Sequence, residues 1–220
     1  MIKFNKKITD YQYVLSFDIA KHITGYSLLD IYNNKIICAG IIDTKKSKLD
    51  FVWDYFYNSI YDVINKCSSI ICDSNLFIVK ERLPNQNGKF STIDTLQGLA
   101  QAHSIFDLAV HRSGHQYYDY DGDHSASVKS YFKTLTGLEK PQKEDISEYI
   151  KKKYSDFDFE EYPLDVTDSI AVSITLLEKK YNNDIDEKIK MINKEIKKSK
   201  LKSKIDKLNE EIVFLKNLKI

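Results

Sequence analysis

The segment YVLSFDI at residues 13–19 constrains the fold more than any other part of the chain, because it is apolar, rich in β-forming residues and carries an acid near its end. This pattern predicts a central strand of a sheet. Two further strands are predicted at 24–31 and 35–43, and Asn33-Asn34 between them can form a turn. Three successive strands with short connections predict an antiparallel meander.

Beyond this meander the apolar residues alternate between a period of about 3.6, which is typical of helices, and a period of two, which is typical of strands. Strands are predicted at 76–81 and 115–120. Helices are predicted at 49–66, 92–112, 126–136, 144–154 and 164–179. This order of elements predicts an α/β fold with a mixed sheet that is flanked by helices.

Charge is distributed unevenly along the chain. The 220 residues carry 33 Lys and Arg and 32 Asp and Glu, a formal charge of +1 that by itself argues against a nucleic-acid-binding protein. Residues 180–220, however, hold 12 Lys and 7 acids, so a basic tail follows a slightly acidic body. We expect this tail to contact either DNA or a protein partner.

Other features of the composition exclude several classes of protein. The 3 Cys residues are an odd number without a CxxC spacing, which excludes a disulfide framework and a thiolate zinc site. No apolar run reaches the roughly 18–20 residues of a membrane span, and the start MIKFNKKITD lacks the apolar core of a signal peptide. We therefore expect a cytoplasmic protein that has no membrane partner.

The basic tail carries two apolar seams with the spacing of heptads. They consist of Ile185, Ile189, Ile192 and Ile196, and of Leu201, Ile205, Leu208, Ile212 and Leu215. Because no Gly or Pro interrupts 197–204, we expect one long helix with a register break there, and a hairpin of two helices is the alternative. We expect a main domain at 1–180 and a Lys-rich, coiled-coil-like helical tail at 181–220.

Four acids occupy positions that suit metal binding. Asp18 lies near the end of the first strand and Glu81 ends the fourth, whereas Asp165 and Asp168 share one face of the last core helix. Taken alone, each has a plainer explanation, such as a helix N-cap for Asp165 or a solvated strand end for Glu81. If all four converge, their repulsion requires cations, and hard oxygen ligands favour Mg²⁺ or Mn²⁺. Two such ions can activate water and stabilise the leaving oxygen of a phosphodiester.

Four segments of the chain carry a resemblance to a known family. They are LSFDIAKHITGYSLLD (15–30), FIVKERL (77–83), TLQGLAQAH (95–103) and LDVTDSIAVSI (164–174). These segments resemble the RuvC-type Holliday junction resolvases, and the resemblance runs over about residues 12–178. It is closest to the divergent bacteriophage branch, which includes lactococcal phage resolvases and is related to the poxviral enzymes. The resemblance implies an RNase H-like fold with a mixed five-stranded sheet.

The resemblance also implies an activity and a metal site. It implies a Mg²⁺-dependent, structure-selective endodeoxyribonuclease that resolves Holliday junctions as a homodimer and leaves a 5′-phosphate and a 3′-hydroxyl. Asp18, Glu81, Asp165 and Asp168 would be its catalytic acids and would bind two Mg²⁺ ions, for which Mn²⁺ substitutes. The enzyme would act in DNA recombination or phage DNA processing, in the cytoplasm of the host cell.

Contacts with DNA and with a second subunit follow from the same resemblance. Lys129 and Lys143 match two lysines that would bind phosphates, although Lys133 or Lys140 can take their places. A helix around Gln97-Gly98-Leu99 matches the helix that forms the dimer in that family.

The chain departs from the family directly after Glu81. Bacterial members have an aromatic residue there that stacks at the centre of the junction, whereas this chain has Arg82-Leu83-Pro84. Phe90 in the same loop is the candidate replacement, and Arg82 is a further candidate contact with DNA. The basic tail has no counterpart in the bacterial enzymes.

Three other functions are open at this point. A broader flap or replication-fork nuclease would use the same acids, and a noncatalytic DNA-binding scaffold would depend on the tail. An actin-like nucleotide-binding protein would need a Gly-rich phosphate hairpin after Asp18, where the chain has only Gly25.

Overall fold

The computed structural model describes residues 11–47, 51–72, 75–83, 93–115, 117–119, 125–159, 164–178, 182–199 and 201–217. The strands are β1 (Tyr13–Asp18), β2 (Ile23–Asp30), β3 (Lys35–Asp43), β4 (Leu76–Lys80) and β5 (Tyr117–Asp119). The helices are α1 (Val52–Ile70), α2 (Ile93–Ser113), α3 (Ser125–Thr136), α4 (Lys143–Lys153), α5 (Leu164–Leu176), α6 (Asn182–Lys198) and α7 (Lys202–Asn217).

The strands form one mixed sheet in the order β3-β2-β1-β4-β5. β1 and β2 pair antiparallel, as do β2 and β3, whereas β1 and β4 pair parallel, as do β4 and β5. The predicted antiparallel meander and the predicted α/β fold with a mixed sheet are therefore confirmed. Because β1 and β4 run parallel, their carboxyl ends lie side by side at one edge of the sheet.

One face of the sheet forms the main apolar core with α1 and α2. Leu15 and Phe17 of β1 lie in this buried cluster, and the ring centroids of Phe17 and Phe106 are 4.9 Å apart. The buried side chains of α1 recur every three or four residues, which gives the helix one apolar face. They include Phe56, Ile60, Ile64 and Cys67.

The other face of β1 and β2 is covered by α5. Ser16 and Asp18 alternate with Leu15 and Phe17 along β1, so their side chains point away from the main core. Between residues 166 and 173 of α5, every residue is buried except Asp168, which is half-buried. Small hydroxyl residues make up much of this helix, and they let its backbone lie close to the strands.

The described chain divides into two compact units. One comprises 12–173, and the other comprises Tyr11 together with the described residues from Ile174 onward. The predicted boundary between a domain at 1–180 and a tail at 181–220 stays a prediction.

The predicted single long helix in the tail is wrong. The tail folds as two helices, α6 and α7, which pack on each other, and Lys204 at the start of α7 forms a 2.8 Å ion pair with Glu195 near the end of α6. The alternative prediction, a hairpin, is therefore confirmed. The hairpin forms because the two apolar seams are separated by a step of five residues, from Ile196 to Leu201. One straight helix would therefore present the two seams on different sides. Coiled-coil packing stays a prediction.

None of the helices described has the length and the apolar character to cross a lipid bilayer.

Candidate active site

Asp18 and Glu81 lie side by side because two parallel strands end at the same edge of the sheet. Phe17 of β1 is in register with Lys80 of β4. The backbone N–H of Glu81 donates to the carbonyl of Phe17 at 3.1 Å, which extends the pairing by one residue. The carboxyl group of Glu81 is hydrogen-bonded to that of Asp18.

The first two turns of α5 supply the other two acids. Asp165 and Asp168 are three residues apart, so their side chains leave the helix on the same side. Carboxylate oxygens of Asp18, Asp165 and Asp168 lie within 4.8 Å of one another. The amino end of a helix has a partial positive charge, which compensates part of this negative charge. The structure thus brings together all four acids that the sequence singled out.

Burial raises the pKa of the Glu81 carboxyl to about 9. The hydrogen bond to Asp18 and the negative charges of Asp18 and Asp168 act in the same direction, whereas Lys143 acts against them. Without a cation at the site, Glu81 therefore keeps its proton at neutral pH and donates it to Asp18. Protonation of Glu81 avoids placing a fourth negative charge beside the three aspartates.

Lys143, the first residue of α4, forms an ion pair with Asp168. Burial raises the pKa of Asp168, and the charges of Asp18 and Asp165 add to this effect, while Lys143 opposes it. Burial lowers the pKa of Lys143, but the hydrogen bond to Asp168 and the nearby acids outweigh burial, so its pKa lies above the ordinary value. Lys143 therefore stays protonated and holds a positive charge beside the acids.

A small cavity of about 100 Å³ opens onto the acids. The cavity is lined by Asp18, Glu81 and Asp168. Two basic residues, Lys129 of α3 and Lys143, line it as well. The remaining lining is apolar and comes from Val128, Ile146, Ala171 and Val172. Lys133 and Lys140, the alternative candidates, are exposed and are not among the described residues that line the cavity.

The donor set fits a divalent cation that prefers oxygen. Asp18, Asp165 and Asp168 each offer a carboxylate oxygen within 4.8 Å of the other two, and Glu81 adds a fourth carboxyl beside Asp18. Hard oxygen donors are the ligands of Mg²⁺ and Mn²⁺, whereas softer ions favour sulfur or imidazole. A half-buried cluster of like charges is costly unless cations compensate it, and Lys143 supplies a single positive charge.

Three other predicted contacts have different outcomes. Arg82 is half-buried and directly follows Glu81, whereas Phe90 lies outside the described residues. Gly98 of the predicted dimer helix is buried, and a Cβ added there would lie 2.9 Å from Cδ of Lys21 in the same chain. The Lys21 stem thus covers Gly98 within one subunit, and dimerisation stays a prediction.

Sequence reasoning missed the residues that seat α5 on the sheet. Gly25 is paired with Asp18 in the β1–β2 ladder and touches the backbone of Asp165, and the hydroxyl of Ser16 donates to the carbonyl of Ser169 at 2.8 Å. The available signal was the small size of these residues within β-strands, where larger side chains are usual. The partner helix is more than a hundred residues away, so the contact has no local signature.

Comparison with known proteins identifies the fold. No family model matches the sequence, and no curated protein matches it either. Among solved structures, Thermus thermophilus RuvC in complex with a Holliday junction substrate matches with a TM-score of 0.55 and 11% identity, covering 75% of this chain and 92% of that chain. Another structure of Thermus thermophilus RuvC matches with a TM-score of 0.54 and 12% identity, covering 74% of this chain and 92% of that one.

A third neighbour is the yeast mitochondrial Holliday junction resolvase Ydc2, with a TM-score of 0.50 and 13% identity over 78% of this chain and 79% of that chain. The fold is therefore similar to that of RuvC-like resolvases. Membership of the bacteriophage or poxviral branch stays a prediction.

Proposed function

We propose that this protein is a divalent-metal-dependent endonuclease that cuts branched DNA, with the four-way junction as its main substrate. The observation that carries the proposal is the convergence of Asp18, Glu81, Asp165 and Asp168 at the ends of β1 and β4 and the start of α5. The fold neighbours support it, since one of them is described in complex with a Holliday junction.

The four acids would hold two Mg²⁺ ions, or Mn²⁺ in their place. When bound, such ions activate a water and stabilise the leaving oxygen of a phosphodiester. Glu81 has to release its proton before it can act as a ligand, so metal binding is coupled to proton release. The products would be a 5′-phosphate and a 3′-hydroxyl.

Lys129 and Lys143 would bind the phosphate that is cut. Both line the cavity in front of the acids, so their ammonium groups can donate charge-assisted hydrogen bonds to phosphate oxygens. Lys143 is oriented by its ion pair with Asp168, which holds it at the site before DNA arrives. Arg82 and Phe90 would contact DNA around the site, and we assign them no closer role.

The active species would be a homodimer acting in recombination or phage DNA processing in the cytoplasm. A two-fold symmetric enzyme matches a nearly symmetric four-way junction and pairs the two cuts in one encounter. The tail would add contacts with DNA or with a protein partner.

The decisive experiment is a panel of labelled four-way, three-way, flap and linear duplex DNA, incubated with the protein in Mg²⁺ or in EDTA. We expect paired cuts in the four-way junction in Mg²⁺ and none in EDTA. Linear duplex should be cut little in either condition. Equal cutting of flaps and forks would instead identify the broader branch nuclease. No cutting of any branched substrate in Mg²⁺ or Mn²⁺ would favour the noncatalytic scaffold.

Two isosteric variants serve as controls for the panel. Asp18→Asn should bind the junction and fail to cut it. Asp43→Asn changes a carboxylate that caps the turn after β3, outside the site, and should cut like the wild type. Unchanged cleavage by Asp18→Asn would contradict the proposed site.

A further inference from the structure

Gly25 leaves no room for a side chain between β2 and α5. A Cβ built on Gly25 would lie 1.9 Å from the carbonyl oxygen of Asp165, 2.6 Å from its carbonyl carbon and 3.2 Å from the backbone nitrogen of Val166. All three atoms belong to backbone, so no rotation of a side chain can relieve the overlap. The first turn of α5, which carries Asp165 and directly precedes Asp168, therefore rests directly on the bare Cα of Gly25.

A second contact holds α5 one turn further along. Ser16 and Ser27 face each other across β1 and β2, their hydroxyl oxygens are 2.8 Å apart, and both residues are fully buried. The hydroxyl of Ser16 donates to the carbonyl of Ser169 at 2.8 Å. A hydroxyl has one proton, so the hydrogen bond between the two serines must be donated by Ser27.

The Gly25–Asp165 contact and the Ser16–Ser169 hydrogen bond lie one helical turn apart on the same side of α5. On the strands, Gly25 and Ser27 are two residues apart, so they share one face of the sheet. On the helix, Asp165 and Ser169 are four residues apart, so their backbones lie on the same side of α5 one turn apart. Asp168 lies between them, and Asp18 is the cross-strand partner of Gly25.

We propose that Ser16, Gly25 and Ser27 form a positioning element, the α5 seat, which sets how closely α5 approaches β1. The depth of this seat determines the distance between the carboxylates of α5 and that of Asp18. The inference rests on the proposed function for its consequence, because the distance matters only if the acids share metal ions. None of the three residues is expected to touch metal or DNA.

The substitution Gly25→Ala shows how far α5 would have to move if the seat were filled. The Asp165 carbonyl would have to move by about 1.5 Å or more to bring the contact from 1.9 Å to the 3.4 Å at which ordinary van der Waals contact begins. A displacement of about 1 Å in a catalytic constellation lowers rates by about 100-fold. The carboxylate oxygens that now lie within 4.8 Å of one another would be spread apart, and the shared cation would be held by fewer of them.

Gly40 provides a matched control on the neighbouring strand. It is paired with Tyr26, and a Cβ there would lie 2.6 Å from the hydroxyl oxygen and 2.8 Å from Cζ of that tyrosine. These atoms are at the far end of a side chain that can turn aside. Gly40→Ala therefore makes the same chemical change in the same sheet without moving α5.

The test measures Mn²⁺ binding to the DNA-free full-length protein by electron paramagnetic resonance, alongside melting temperature and junction cleavage. We expect Gly25→Ala to fold, to bind Mn²⁺ about 10-fold more weakly or worse, and to lose about 100-fold in kcat with junction KM within about 3-fold of wild type. Gly40→Ala should match the wild type in all of these measurements.

Wild-type affinity for Mn²⁺ in a folded Gly25→Ala protein would overturn the inference. If Gly25→Ala does not fold, Ser16→Ala decides, because it removes the hydrogen bond to Ser169 without adding bulk. Ser16→Ala should weaken Mn²⁺ binding by about 3-fold, the equivalent of part of one hydrogen bond, and unchanged binding overturns the inference. Absence of Mn²⁺ binding by the wild type would instead overturn the proposed function on which the inference rests.

Discussion

Two lysine–aspartate ion pairs involve neighbours of the end of β4, one on each face of the sheet, and they differ in which partner is buried. In the pair of Lys80 with Asp107 of α2, the lysine side chain is 5% exposed and the aspartate 46%. In the pair of Lys143 with Asp168, the lysine is 51% exposed and the aspartate 16%. Lys80 and Glu81 are consecutive, so their side chains point to opposite faces of the sheet.

The difference separates a structural ion pair from the proposed metal site. Lys80 is paired with the carboxylate of Asp107, and its Nζ also lies 5.4 Å from the ring centroid of Phe106. Asp168 shares its lysine with Asp18, Asp165 and Glu81, so even with Glu81 protonated three acids face the single charge of Lys143, and bound cations are needed to balance them. A half-buried cluster with excess charge of one sign favours a ligand of the other sign, whereas an ion pair of one lysine and one aspartate does not.

The largest expected effect is on junction cleavage, which should depend on Asp168 and not on Asp107. Asp168→Asn should lower junction cleavage by about 1,000-fold, because it removes a ligand from the proposed metal site. Its stability in EDTA should be equal to that of the wild type or slightly higher, since one of several repelling acids is gone. Cleavage rates and urea denaturation measure the two effects, and a cleavage loss below 10-fold would contradict the proposed role of Asp168.

Asp107→Asn should show the opposite pattern. It leaves the buried cation of Lys80 without its carboxylate, which should lower the free energy of unfolding by about 2–3 kcal/mol, a value reduced because Asp107 is partly exposed. Cleavage by the folded fraction should stay within about 3-fold of wild type. Urea denaturation checks the stability, and Lys80→Met, which removes the charge itself, should be the milder substitution.

The pH dependence of stability should come partly from His103, which lies beside Lys80. Burial, with a further contribution from the charge of Lys80, lowers the pKa of His103 to about 3. The folded state therefore binds fewer protons than the unfolded state between about pH 6.5 and pH 3, and stability falls as the pH falls through this range. His103→Gln should remove about 2 kcal/mol of the stability loss between pH 8 and pH 5.

Urea denaturation of both proteins at pH 8 and pH 5 measures this difference. Equal pH dependence in the wild type and in His103→Gln would show that His103 is not held neutral in the folded state. Asp43→Asn, which alters an acid away from Lys80, is a suitable control for general effects of charge removal.

The smallest expected effect is stabilisation by metal ions without DNA. At a Mg²⁺ concentration ten times its dissociation constant, the wild type should gain about 1.4 kcal/mol, or about 3–5 °C in melting temperature. Asp107→Asn should gain as much as the wild type, whereas Asp168→Asn should gain little. Equal gains in both variants would remove the distinction between the two ion pairs.

Much of the fold was predictable because its signals are local. The apolar run of β1, the turn at Asn33-Asn34 and the periodicity of α1 each depend on neighbours within a few residues. The tail shows where such signals stop, since its heptad spacing predicted helices correctly while the reversal between α6 and α7 was the second choice. Helical periodicity says which face is apolar, and it says nothing about whether the chain continues straight or folds back on itself.

The candidate site was predictable in part. Its acids stood out because each follows an apolar strand or opens an apolar helix, and parallel strand ends bring Asp18 and Glu81 together. The choice of Lys129 and Lys143 over Lys133 and Lys140 at the cavity depends on how α3 and α4 dock, which no periodicity encodes. The roles of these residues in DNA binding stay predictions.

The sequence by itself determined the order of strands and helices along the chain. It also determined that an acid stands at the end of β1, after β4 and in the first turn of α5. Both follow from local propensity and hydrophobic period. Only the tertiary structure decided how the acids meet. Their separation depends on the depth at which α5 rests on Gly25, and their charge balance depends on Lys143 from α4. Both are contacts between distant parts of the chain, the first a close-packed backbone contact and the second an ion pair, so neither has a local signature in the sequence.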